Sequence, residues 1–212
     1  MKLLLYIPAF SVLIPLILGI STLRHHTISI KRLVIFLICC TLMDLTSHVL
    51  TDNHINTTPT IHFYTILEFT FFIRIIGPHA HARFQARAIY ILSGGFALLT
   101  GLNILFFQPL IVFPSYILFL ECITLILISL LYYKRLLDEM KVEQLTRSSI
   151  FWVVNAIFFY FSINLFMYLL SNYLETEVYQ IAWVIIHNLN YLLRNILFTL
   201  GIWYSRKSSL ES

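Results

Sequence analysis

Residues 180–203 read QIAWVIIHNLNYLLRNILFTLGIW. A stretch of this length crosses a hydrocarbon core of roughly 30 Å, which takes about 20 residues of helix. A segment in lipid must satisfy its own backbone, so this one is read as a helix. It is mostly apolar, yet His187, Asn190, Tyr191 and Arg194 follow one another at i, i+3, i+4 and i+7. That spacing makes a single helical stripe. An ionisable group at the bilayer centre costs roughly 2.5 kcal/mol or more. The stripe is therefore expected to face the interior of a bundle, where Arg194 needs a carboxylate.

The rest of the chain has the same character. Hydrophobic residues make up 59% and charged residues 11%, against about 25% charged in a soluble domain. We read an all-α, polytopic seven-transmembrane helix bundle, one integral membrane domain over residues 1–212, bathed in membrane lipid. The spans are about 3–20, 33–50, 60–76, 86–107, 110–133, 150–170 and 180–203. Pro59 suits the first turn of the third helix, and Gly77-Pro78 is expected to end it. Pro8 and Pro15 are expected to kink the first. A cleaved signal peptide is the rival reading of residues 1–20, disfavoured by a single early Lys and no small-x-small site. Cys39, Cys40 and Cys122 sit in apolar segments and read as small core residues.

Basic residues set the orientation. Arg24, Lys31 and Arg32 follow the first span, Arg83 and Arg87 precede the fourth, and Lys134, Arg135, Lys141 and Arg147 precede the sixth. Arg206 and Lys207 close the chain, and the opposite loops carry no Lys or Arg. The N-terminus is expected outside and the C-terminus in the cytoplasm of a plasma membrane. The net charge of +4 does not imply nucleic acid, because no basic stripe with interleaved aromatics exists. A face around Lys134, Arg135, Asp138, Glu139, Lys141 and Glu143 reads as a solvated helical extension that suits a cytoplasmic protein partner. His25-His26 and His79-x-His81 read as surface or headgroup-contact histidines.

A shift of 120 positions lays the second and third spans on the sixth and seventh. Asp44 then meets Asn164, Glu68 meets Asn188, and Arg74 meets Arg194. This suggests a parallel three-plus-one-plus-three repeat with the fourth helix as linker. Sugar transporters of the SWEET type resemble it in architecture alone, because Gln108-Pro109 reverses their Pro-Gln signature. In the fourth span Ser93, Ala97 and Gly101 recur every four residues, with Gly94 beside them. Small residues at that spacing allow close helix approach, either inside the bundle or across a homodimer face.

Helix rise places the other polar residues in depth. Asp44, His48, Glu68 and His187 share the outer half, roughly 3–13 Å below the helix ends. His62 lies nearer the mouth, and Asn164 has a similar depth. Glu121 and Arg194 lie near the middle, so a buried ion pair of Arg194 with Glu121 or with Glu68 is expected, Glu121 being the depth match. Asp44, His48, His62, Glu68, His187, Asn190, Tyr191 and Arg194 form the candidate ligand-binding set, flanked by Tyr64 and Trp183. Carboxylates, His, Asn and aromatic walls describe a small-molecule site. This favours a sensor or transport component over an enzyme. Histidines beside carboxylates also admit a proton-coupled small-solute transporter.

Zinc is the alternative. Asp44, His48 and His187, with His62 or Glu68, offer nitrogen and oxygen ligands, and a metal-bound water would serve hydrolysis of a lipid amide or ester. Ser47-His48 after Asp44 resembles the seven-helix CREST hydrolases, among them alkaline ceramidases and adiponectin-type receptors. That resemblance implies zinc and a His-x-x-x-His pair on the last helix. Here Tyr191 stands four residues after His187, so the pattern departs at a ligand. Otherwise no cofactor is expected. Every Lys lies at a span edge, so retinal has no attachment point of the kind microbial rhodopsins use. No Walker loop, dinucleotide fingerprint or Gly-x-Ser-x-Gly elbow occurs. The run His62-Phe-Tyr-Thr-Ile-Leu-Glu68-Phe69 is similar to one in small seven-helix bacterial proteins. It implies topology and a bacterial inner membrane, and no activity.

Overall fold

The computed structural model describes residues 10–80, 86–139, 145–170 and 177–210. Among them are α1 (Leu13–Ser21), α2 (Ile28–Asp52), α3 (Thr58–Ala80), α4 (Ala86–Phe106), α5 (Ser115–Asp138), α6 (Ser149–Leu170) and α7 (Glu177–Leu210). A 3₁₀ turn, Leu23–His25, follows α1, and no strand occurs among the described residues. Six helices, α2 to α7, are long and apolar enough to cross a membrane. The first expected span, 3–20, begins in residues 1–9, outside the described residues, and Pro8, His81, Arg83 and Lys141 also lie outside them. Its described part is broken: residues 10–11 are helical, Val12 is a turn, and the helix resumes at Leu13. Pro15 accounts for the break, since its ring clashes with the carbonyl four residues back, that of Ser11.

α3 is the hub and packs on α2, α4, α5 and α6. Phe72 and Ile73 face the core, Phe69 stacks on Phe96 of α4 at 3.9 Å between centroids, and Phe36 of α2 lies 4.6 Å from Phe72. α1 lies against both α2 and α7. Its Gly19 is where the chain needs no side chain, because a Cβ there would sit 2.5 Å from Val34 Cγ2. α2 buries Ile30, Leu33, Phe36, Leu37 and Cys40, and no residue beyond Cys40. The half of the helix beyond Cys40 is thus loosely held, which matters for the cavity below. The helix ends at Asp52, and His54, with a φ of 58°, turns the chain. Ile55 N–H then bonds Leu50 O at 2.9 Å, the long bond of a Schellman motif.

Three expectations about helix ends and loops are corrected. Gly77-Pro78 does not end α3, which continues to Ala80. Pro78 removes the N–H that the Arg74 carbonyl would accept, but Arg32 Nη1 donates to that carbonyl at 2.6 Å. Arg135 Nη1 reaches the Pro78 and His79 carbonyls at 3.4 and 3.3 Å. These arginines read as topology markers, and they also cap α3. The fifth helix starts at Ser115 and not at 110, because Pro114 precedes it and Gln108 ties the turn. Gln108 Nε2 donates to Ser115 Oγ at 2.8 Å, and Asn103 Nδ2 to Gln108 Oε1 at 3.3 Å. His26 is not a surface histidine. It is buried, with Nε2 2.8 Å from Thr22 Oγ1 and Nδ1 3.2 Å from Ser205 Oγ, tying α1 to α7.

The Arg32 contact gives a first prediction. Arg32→Leu is expected to cost about 1–3 kcal/mol, the penalty for a buried acceptor left without its donor. In a Pro78→Ala background, where a backbone N–H returns, the cost is expected to shrink. Thermal unfolding of the four proteins in detergent measures it, and equal losses in both backgrounds would refute the capping role.

Most of the small-residue stripe of α4 does not pack inside the bundle. Ser93 is buried, but a Cβ on Gly94, Gly95 or Gly101 meets nothing within 4 Å. α4 instead buries Ile89, Ser93, Phe96, Thr100 and Asn103. The other small-residue contact is on α7, where Gly201 meets Ser149 and Val153 of α6.

Candidate functional site

A cavity of about 300 Å³ opens among α2, α3, α6 and α7, with Phe113 and Leu118 closing the α5 side. α2 contributes Met43, Asp44 and Ser47; α3 contributes Thr60, Ile61, Tyr64, Thr65 and Glu68. Tyr160 and Tyr168 come from α6, and Trp183, His187 and Tyr191 from α7. It lies toward the end of the bundle where the loops lack Lys and Arg.

Beneath it is the buried ion pair. Arg194 Nη1 is 3.0 Å from Glu68 Oε1, and the residues are 1% and 4% exposed. The guanidinium lies between two rings, 4.4 Å from the Tyr160 centroid and 4.1 Å from that of Tyr191. Tyr64 donates its hydroxyl to the same Glu68 oxygen at 3.1 Å, and Cys40 Sγ is 3.2 Å from that hydroxyl. Such a group is stable only with its partners present, since an unpaired buried charge is strongly penalised. The expected Glu121–Arg194 pair is therefore corrected: Arg194 goes to Glu68. Glu121 is fully buried, and neither carboxyl oxygen has a hydrogen-bond partner. Depth matched Glu121 to Arg194, but the guanidinium contacts Glu68.

Helix rotation sorts the remaining candidates. Asp44 lines the cavity and accepts the Tyr191 hydroxyl at 3.1 Å. On α2, Met43, Asp44 and Ser47 make the lining face, and His48, one turn beyond Asp44, falls at its edge on the side away from Met43 and Ser47. His48 is exposed and does not line the cavity, so the expected shared site of Asp44 and His48 is corrected. His62 is 2% exposed, about 120° around α3 from the lining face, and is also outside the cavity. Asn190 is spent on structure: its Nδ2 donates to Tyr160 O at 2.8 Å. His187 lines the cavity, stacked on Trp183 at 6.4 Å, with Nδ1 buried and without a hydrogen-bond partner.

The zinc set fits poorly. Of Asp44, His48 and His187, two line the cavity and one does not. Among the described residues no three His, Cys, Asp or Glu side chains converge as a metal would require. Several buried polar atoms lack protein partners instead: both amide atoms of Asn164, Oδ1 of Asn190, and Nε and Nη2 of Arg194. Buried polar groups in native proteins are nearly always satisfied, by protein or by ordered water.

Sequence reasoning missed the α6 wall. Tyr160 and Tyr168 flank Asn164 at i−4 and i+4, a stripe that faces α7. Their spacing carried that signal, masked by the surrounding phenylalanines. Asn195 was also passed over, although its Nδ2 donates to Ser11 Oγ at 2.7 Å and holds residues next to α1.

The fold and site together define a class, a multi-pass, all-helical integral membrane protein with a polar cavity between its helices. No protein family, curated protein or solved structure matches the chain.

Proposed function

We propose that this protein binds a small molecule in the cavity between α2, α3, α6 and α7, as a sensor or a transport component of a plasma membrane. The observation that carries the reading is the cavity itself. Its volume of about 300 Å³ falls at the small end of ligand sites, and aromatic walls with a few polar groups are the composition such sites have. The positive-inside pattern puts the cavity in the outer half, with the C-terminus in the cytoplasm. The repeat belongs to the proposal on its sequence correspondences alone.

A cavity-filling variant tests this. Ser47 sits on the loosely packed outer half of α2, so Ser47→Phe is expected to fold normally and occlude the site. A ligand at 100 times its Kd stabilises the folded state by about 2.7 kcal/mol. In a thermal-shift screen of small metabolites, at least one is expected to raise the wild-type Tm and leave Ser47→Phe unmoved. A screen with no shift, or with shifts that persist in Ser47→Phe, would remove this reading. Flux into liposomes then separates transport from sensing.

A further inference from the structure

We propose that the ligand is an organic cation, a small ammonium group held by Asp44 within an aromatic cage. This rests on the small-molecule reading above and names the chemistry of the same site. The cavity wall carries two carboxylates, Asp44 and Glu68, and no Lys or Arg. Arg194 does not line the cavity. It bonds Glu68 and is held between the rings of Tyr160 and Tyr191, below the wall and outside the lining. Glu68 is in contact with Arg194 and Asp44 is not: its Oδ2 accepts the neutral Tyr191 hydroxyl, and among the described residues it forms no contact ion pair. The net charge presented to a ligand is negative.

The rest of the wall suits a cation. Tyr64, Tyr160, Tyr168, Trp183 and Tyr191 all border the cavity, and aromatic faces attract ammonium groups through their quadrupole, Trp most strongly. Tyr160 and Tyr191 already do this for Arg194 within the same protein. His187 also borders the cavity, stacked on Trp183. An anion would meet Asp44 with no free cation in the lining to offset it. A neutral ligand would leave that charge unanswered. The small volume fits an amine or a headgroup, not a whole lipid.

The ammonium has two sources, a water-soluble amine or a lipid headgroup. The test uses the full chain in mild detergent and three probes of one shape: choline, its neutral carbon isostere 3,3-dimethyl-1-butanol, and 3,3-dimethylbutyrate. Binding is read by thermal shift and by calorimetry. Choline is expected to bind about tenfold or more tighter than the isostere, a difference of about 1.4 kcal/mol, and the carboxylate not at all. Asp44→Asn is expected to erase the preference while keeping the unliganded Tm, since Asp44 is exposed. Equal binding of the isostere, or preference for the carboxylate, overturns the cation assignment and leaves the small-molecule site standing. Absence of saturable binding by all three overturns the cation assignment alone, and the wider reading then rests on the Ser47→Phe screen. Repeating the choline titration in phosphatidylcholine and phosphatidylglycerol nanodiscs separates the sources. Competition only in phosphatidylcholine assigns a lipid headgroup, and equal affinity in both assigns a soluble amine.

Discussion

Arg194→Ala is expected to be the most damaging single substitution in this protein, lowering stability by about 3–5 kcal/mol. The guanidinium is buried, bonds Glu68, and packs on Tyr160 and Tyr191. Its removal strands Glu68 with only the Tyr64 hydroxyl and takes away a cation–π partner worth about 2 kcal/mol when desolvated. The loss comes mainly from the stranded charge, so a second change should recover part of it. Glu68→Gln in the Arg194→Ala background is expected to be less damaging than the sum of the two single changes, with a coupling of about 0.5–3 kcal/mol. Unfolding in detergent of the four proteins of the cycle measures this. Additive losses would mean that the pair does not hold the bundle. Glu121→Gln should be milder than Glu68→Gln, because Glu121 has no hydrogen-bond partner to lose.

Gly201→Val is expected to cost about 1–3 kcal/mol, at the upper end for overpacking. A Cβ at Gly201 would lie 2.8 Å from Val153 Cγ2 and 3.0 Å from the Ser149 carbonyl oxygen. The Val153 methyl can rotate away, but a backbone oxygen of α6 cannot, so α6 and α7 must separate. Their interface is the most extensive among the described residues, and it also sets the spacing of Tyr160 against Arg194. The substitution should therefore weaken the cavity's ligand affinity as well as the fold. Gly101→Val is the matched control, because a Cβ there meets open space. It should stay within about 0.5 kcal/mol of wild type. If the two variants melt together, close packing at Gly201 is not what joins α6 to α7.

The stripe on residues 180–203 shows how far local pattern reaches. Four polar residues at helical spacing were enough to place Arg194 inside the bundle and to demand a carboxylate for it. The same logic named Asp44, Glu68, His187 and Tyr191, and all four line the cavity. It failed for His48 and His62, which have the right chemistry and depth but the wrong azimuth. It failed at Gly77-Pro78 for another reason. A proline ends a helix only when the carbonyl it orphans has no other donor, and Arg32, some 40 residues away, supplies one.

The sequence by itself determined the class of this protein. Lipid penalises every unpaired backbone group, so apolar runs of this length have to be helices. Hydropathy is a property of each segment alone. Only the tertiary structure decided which carboxylate takes Arg194, which residues face the cavity, and which glycines sit at helix contacts. Those outcomes depend on the rotation of each helix about its axis and on its neighbours. Rotation is set by packing between segments far apart in the chain, so depth favours Glu121 for Arg194 while the packed helices bring Glu68 to it instead.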